Sequence, residues 1–165
     1  MWCIASQMLV TFIFALTIVV GYALWRGGAP ERSGALVFIL MAVLQYTGRL
    51  FFDRVFQAVD PLNLAVDLFA FASFTLIALH ANRIWPLFIA AMQLLSCASH
   101  FGRGVSHKVE QLVYAVLMAG PTVAALVILL IGTLAHHARM KRGLETASWT
   151  KGTTWPAWIP EFLTR

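Results

Sequence analysis

Arg49, Asp53, Asn63, Asp67, Gln93 and His100 are the residues whose types and spacing could do chemistry, because they interrupt apolar stretches in which charge is expensive. Gln45, Arg49 and Asp53 are four apart, Asp60, Asn63 and Asp67 are three and four apart, and Gln93, Cys97 and His100 are four and three apart. Each trio therefore lines one stripe of a helix. A carboxylate, a guanidinium, a carboxamide and an imidazole opening on one face make a cluster of the kind that handles protons, ions or small polar substrates. The plainer reading is a cross-link between helices. Arg49 and Asp67 both lie on the order of 10 Å inside the ends of their spans, which predicts an Arg49–Asp67 pair. Arg49, Asp53 and Arg54 sit near a span end where long side chains snorkel, and this favours the cross-link.

A second constellation is His80, His136 and His137, toward the opposite face. Histidines from two helices can ligate haem or a metal. Here His136 and His137 abut the basic run Arg139, Lys141, Arg142, where imidazole also suits a helix C-terminus, and no second motif supports a cofactor. None is expected. Cys3 and Cys97 belong to no CxxC or Cys/His spacing and read as inert thiols. The sequence contains no GxSxG, HExxH, GxxxxGK[ST] or Gly-rich dinucleotide pattern, so nothing in it supports an enzyme.

The elements that must position these residues follow from composition. Of 165 residues, 60% are hydrophobic and only 12% charged, a balance that excludes an ordinary soluble domain. A bilayer core needs about 20 mainly apolar residues as helix. Five stretches qualify, at about 4–25, 34–54, 62–80, 84–101 and 110–136, predicting an all-α membrane bundle over 1–143. The count falls to four if 84–101 is re-entrant. The second stretch is apolar only to about Leu44 and has the alternative of stopping near Thr47 and continuing as an interfacial helix. Pro61 suits a first helical turn. Pro121, after Gly120, predicts a kink or a broken hydrogen bond in the last helix. The first stretch lacks the basic n-region and cleavage site of a signal peptide. Residues 144–165, with Trp149, Trp155 and Trp158, read as an aromatic tail at the membrane interface.

The formal charge of +5 does not point to nucleic acid, because the basic residues are scattered through short loops rather than gathered in one aromatic-interleaved run. With the N-terminus outside, Arg26, Arg32, Arg83, Arg139, Lys141 and Arg142 fall inside while Arg49, Arg54, Arg103 and Lys108 fall outside. Six against four favours N-out and C-in.

The segment Ala78-Leu-His-Ala-Asn-Arg-Ile-Trp-Pro-Leu-Phe-Ile-Ala-Ala-Met-Gln-Leu94 resembles a turn in small uncharacterised multi-pass inner-membrane proteins of proteobacteria. The resemblance implies a bacterial cytoplasmic membrane and carries no activity and no functional residues. Small size, an apolar bundle and the lack of catalytic motifs point first to a structural or accessory subunit, whose partners are the lipid bilayer and either another membrane protein or further copies of itself. The alternatives are a small transporter or channel with a polar cavity around Asp67, and a membrane redox or lipid-modifying enzyme.

Overall fold

The computed structural model describes residues 2–51, 61–105, 111–143 and Trp149, without the side chains of 2–6, 8–9, 101–105 and 111–119. The described chain is all-α: α1 (Trp2–Arg26), α2 (Ala29–Phe51), α3 (Pro61–His80), α4 (Trp85–Val105) and α5 (Gln111–Lys141). Consecutive helices pack against each other, and α5 returns to contact α1, so the five close into a ring with a further α2–α5 contact across it.

The ends of the helices carry their own signals. The amide of Gly27 still bonds Ala23 O at 2.9 Å, and the carbonyl of Gly28 accepts the Arg32 amide at 3.0 Å as the cap of α2. Only two glycines thus separate α1 from α2. Pro30, Pro61 and Pro86 lie in first turns, where no intrahelical partner awaits their missing N–H. Gly143 ends α5 in the left-handed region at φ 69°, which a glycine adopts without steric cost. Pro121 lies inside α5, where it deprives the carbonyl four residues back of its helical donor.

Several bounds differ from the sequence reading. The second helix begins at Ala29 rather than at 34, because Pro30 and Glu31 favour a first turn and the expected loop from Arg26 to Arg32 shrinks to Gly27-Gly28. It runs without a break past Thr47 to Phe51, and its expected continuation to 54 lies outside the described residues. The fourth helix continues to Val105 and the fifth to Lys141, since the polar residues that suggested their ends keep helical backbone.

Large apolar side chains face outward, while the apolar interior also encloses several polar ones. Phe14, Leu36, Leu76 and Ile131 are each more than half exposed, whereas Glu31, Asp67, Arg83, Gln93, Ser96, His100 and Thr133 are buried. Such a surface suits lipid, which needs no polar cover. Among the described residues, three helical stretches, Ala29–Phe51, Pro61–His80 and Gly120–Lys141, are long and apolar enough to cross a bilayer. Lone hydroxyls on the helices are satisfied locally: Thr11, Thr17, Ser33, Thr47, Thr75 and Thr133 each donate to the carbonyl four residues back.

The core is built of small residues at close helix contacts (Ala23, Ala35, Ala70 and Ala125, all fully buried) and of Phe38 against Phe74, ring centroids 5.4 Å apart. Trp85 is wedged between two glycines: a Cβ on Gly34 would come within 2.9 Å of Cη2, and one on Gly132 within 2.9 Å of Cδ1. These helices approach so closely because those positions have no side chain.

Candidate functional site

Asp67 stands on α3 six residues after Pro61, about 9 Å along the helix from its start. It faces α4, whose Ser96 and His100 are one turn apart and so reach the same point. Ser96 Oγ donates to Asp67 Oδ2 at 2.7 Å, and with its proton on Nε2 His100 donates to the same oxygen at 3.0 Å. All three are at least nine-tenths buried by residue. The types are those of a serine-hydrolase triad but the wiring is not. In a triad the imidazole takes the serine proton and the carboxylate orients the imidazole. Here serine and histidine both bond the carboxylate, so His100 does not activate Ser96.

Asp67 also lines a cavity of about 260 Å³ bounded by Phe12 and Leu16 of α1, Phe38, Met41, Ala42 and Gln45 of α2, and Thr122 of α5. The carboxylate is thus held from behind by α4 and faces a mostly apolar chamber with Gln45 and Thr122 as further polar groups. A group placed there meets one negative charge, two aromatic rings and a carboxamide.

The residues expected to cluster divide as follows. Asp67 and His100 come together. Gln93 is fully buried on the same stripe of α4, and neither its Oε1 nor its Nε2 has a hydrogen-bond partner among the described residues. Asn63 is half-buried. Arg49 is exposed and makes no ion pair with Asp67, whose Oδ2 is taken by α4 instead. The Arg49–Asp67 cross-link is therefore corrected to an Asp67–His100–Ser96 cross-link. The register of α2 turns Arg49 outward near the helix end, where a long side chain reaches the interface. Asp53 lies outside the described residues, as do Asp60, His107, Lys108, Glu110 and the tail other than Trp149.

A second buried cluster occupies the opposite end of the bundle. Glu31, in the first turn of α2, is fully buried; its Oε1 accepts the Trp85 indole N–H at 3.2 Å and lies 3.9 Å from Arg83 Nε. A Cβ on Gly28 would lie 2.9 Å from Glu31 Oε2 and 2.8 Å from His136 Cε1, so carboxylate and imidazole flank the bare Gly28. Arg139 follows His136 by three residues on α5, and Arg139 Nε and His136 Nδ1 are buried without a hydrogen-bond partner among the described residues. Burial lowers the pKa of Arg83 from the usual guanidinium range, the charge of Arg139 lowers it further, and Glu31 pulls it back up. The backbone of Trp149 pairs with Ala81, and Asn82 Nδ2 donates to Trp149 O at 3.5 Å, laying one residue of the tail beside the turn that carries Arg83.

Sequence reasoning missed this second cluster because it read Arg83, His136 and Arg139 as topology and headgroup signals and left Glu31 in a loop. The signal was available: the first and third connections and the end of the last helix share a face by the same alternation that brought Asp67 and His100 together.

Among the described residues no three or more His, Cys, Asp or Glu side chains converge as a metal site would require. His80 bonds the carbonyl of Leu76 in its own helix at 2.8 Å. The site and fold define a helical membrane bundle with a buried carboxylate on the wall of a small, partly open cavity. No family model, curated protein or solved structure matches the chain.

Proposed function

We propose that the protein is a small carrier in a bacterial cytoplasmic membrane, crossing it five times with the N-terminus outside, and that it takes a small cationic or hydrogen-bond-donating solute at Asp67. The observation that carries this reading is the carboxylate on the chamber wall, fixed by Ser96 and His100. Phe12 and Phe38 add π-faces suited to a cation. A chamber of about 260 Å³ has room for a solute of about ten heavy atoms, since a cavity of about 150 Å³ already takes benzene.

The carboxylate–imidazole pair supplies a means of release. With His100 neutral the pair carries one negative charge, and a monovalent cation about 4 Å away gains about 4 kcal/mol at an effective dielectric constant of about 20. With His100 protonated the pair is neutral and that attraction is cancelled. In this reading a proton on the pair takes the place of the bound cation.

The orientation rests on the basic residues of the connections at the Glu31 end, Arg26, Arg32, Arg83, Arg139, Lys141 and Arg142, which outnumber those at the other end. Cysteines placed one at a time at Gly143 and at Arg49, in a chain otherwise free of cysteine, test it. Labelling of intact cells by an impermeant maleimide is expected at position 49 and not at 143, and the reverse pattern refutes the orientation.

The accessory-subunit reading draws on a different feature, a groove of about 630 Å³ between α1 and α5 lined by Val19, Val123, Leu126, Val127 and Leu130 with Gln7 and Thr11. Such a groove suits a further apolar helix. Thermal stabilisation of the purified protein by ammonium, methylammonium or ethanolamine, lost in Asp67→Asn, supports the carrier. A stoichiometric partner that copurifies in mild detergent, with no response to any of these amines, supports the subunit.

A further inference from the structure

Independently of the chamber at Asp67, the other end of the bundle has the composition of an anion site. The described residues there carry six cationic side chains, Arg26, Arg32, Arg83, Arg139, Lys141 and Arg142, against the single acid Glu31. Glu31 makes no hydrogen bond to Arg139: its Oε1 is turned to Trp85 and Arg83, and its Oε2, near Gly28, is itself buried without a hydrogen-bond partner among the described residues. Arg139 Nε is left buried with no hydrogen-bond partner among the described residues, and so is Nδ1 of His136 one turn before it. Buried Arg83 and half-buried Arg139 lie close enough for the charge of one to lower the pKa of the other, a like-charge pair that an added anion would stabilise.

We propose that Arg83, His136 and Arg139 together bind the phosphate of an anionic lipid headgroup. A phosphate offers several strong acceptors in a geometry that matches the planar guanidinium fork, and imidazole Nδ1–H supplies a further donor. The source is lipid rather than dissolved phosphate because of depth. Trp25 is exposed, with the Arg26 guanidinium 4.6 Å above its ring, and Trp149 is exposed beside the Ala81 turn. Exposed indoles at a span end mark the headgroup level, and basic pockets between helices at that level take acidic headgroups. Bound there, the headgroup would tie the end of α5 to the turn between α3 and α4, which hold the two arginines.

The test uses the full chain purified in a neutral detergent, with phosphatidylglycerol, phosphatidylcholine or inorganic phosphate added in turn. Native mass spectrometry reads lipid retention and a thermal melt reads protection. Phosphatidylglycerol is expected to be retained and to raise the melting midpoint, and phosphatidylcholine to do neither. Arg139→Gln removes a charge-assisted hydrogen bond and is expected to weaken phosphatidylglycerol retention about tenfold or more. Arg142→Gln, at an exposed position, is expected to leave it unchanged. Should Arg139→Gln fail to fold, Arg139→Lys keeps the charge without the fork and is expected to retain the lipid more weakly than the parent. Equal retention of the two lipids, or undiminished retention by the Arg139 variant that folds, overturns the proposal. Protection by inorganic phosphate equal to that by phosphatidylglycerol overturns the lipid assignment and leaves a site for the free anion.

Discussion

Gly132→Ala probes the closest contact in the bundle. The new Cβ would sit 2.9 Å from both Cδ1 and Cγ of Trp85 and 3.1 Å from Cδ2, nearer than a methyl group tolerates. The ring has nowhere to retreat, since its far edge already lies against Gly34 and its Nε1 is held by Glu31 at 3.2 Å. Overpacking costs about 1–3 kcal/mol, and against a ring held on both sides the cost lies in the upper part of that range, about 2–3 kcal/mol. Replacing a helical glycine by alanine returns up to about 1 kcal/mol. The expected net loss is about 1–2 kcal/mol, or a fall of about 2–8 °C in melting midpoint at 2–4 °C per kcal/mol for a chain of this length. Gly21, with nothing within 4 Å of its Cβ position, is the control, and Gly21→Ala is expected to be neutral or slightly stabilising. The assay is a thermal melt of the purified protein in one detergent, repeated in a Trp85→Leu background. There the cost of Gly132→Ala should vanish, giving a coupling of at least about 1 kcal/mol. A Gly132→Ala variant as stable as the parent, or an equal loss in both backgrounds, refutes the wedge.

Asp67→Leu strands Ser96 Oγ and His100 Nε2 in the interior, at about 1–3 kcal/mol for each unsatisfied group, while Asp67→Asn retains an acceptor and should cost less; denaturation midpoints that place Asn below Leu contradict the bonding. Glu31→Ala removes the carboxylate that pairs with Arg83 and is expected to cost about 3–5 kcal/mol, with Arg83→Met in the same chain recovering part of it, as a melt of single and double variants would register. Cys97 is buried, so in a Cys3→Ser chain a small maleimide should label it only on unfolding; rapid labelling of the folded protein would place the thiol on an open surface instead.

The helices were legible because length and apolarity suffice to find them in a chain that meets lipid. Their limits were less legible. Pro30 and Glu31 look like loop residues by polarity but are first-turn residues by backbone chemistry, and this moved the start of α2 by five positions from the expected 34 to Ala29. The stripe Gln93, Cys97, His100 and the depth of Asp67 were readable from spacing, and so was their common face. The partner of Asp67 was not, because spacing along one helix fixes a stripe and leaves the rotation of that stripe toward its neighbours undetermined. That rotation put Arg49 outside and Ser96, which no pattern singled out, inside. The Glu31 cluster depends on Gly28, Gly34 and Gly132, whose role lies in what they lack. A sequence shows the glycine but not the ring or carboxylate that comes to rest against it.

Uptake of labelled methylammonium into proteoliposomes, under a proton gradient of either sign, addresses most directly the claim that Asp67 holds a cation in exchange for a proton. The purified protein is expected to accumulate methylammonium above empty liposomes when the lumen is acidic, to reverse with the gradient, and to lose both responses in Asp67→Asn while keeping its helices and its yield. Uptake equal to that of empty liposomes in both directions, or uptake unchanged in Asp67→Asn, would contradict it.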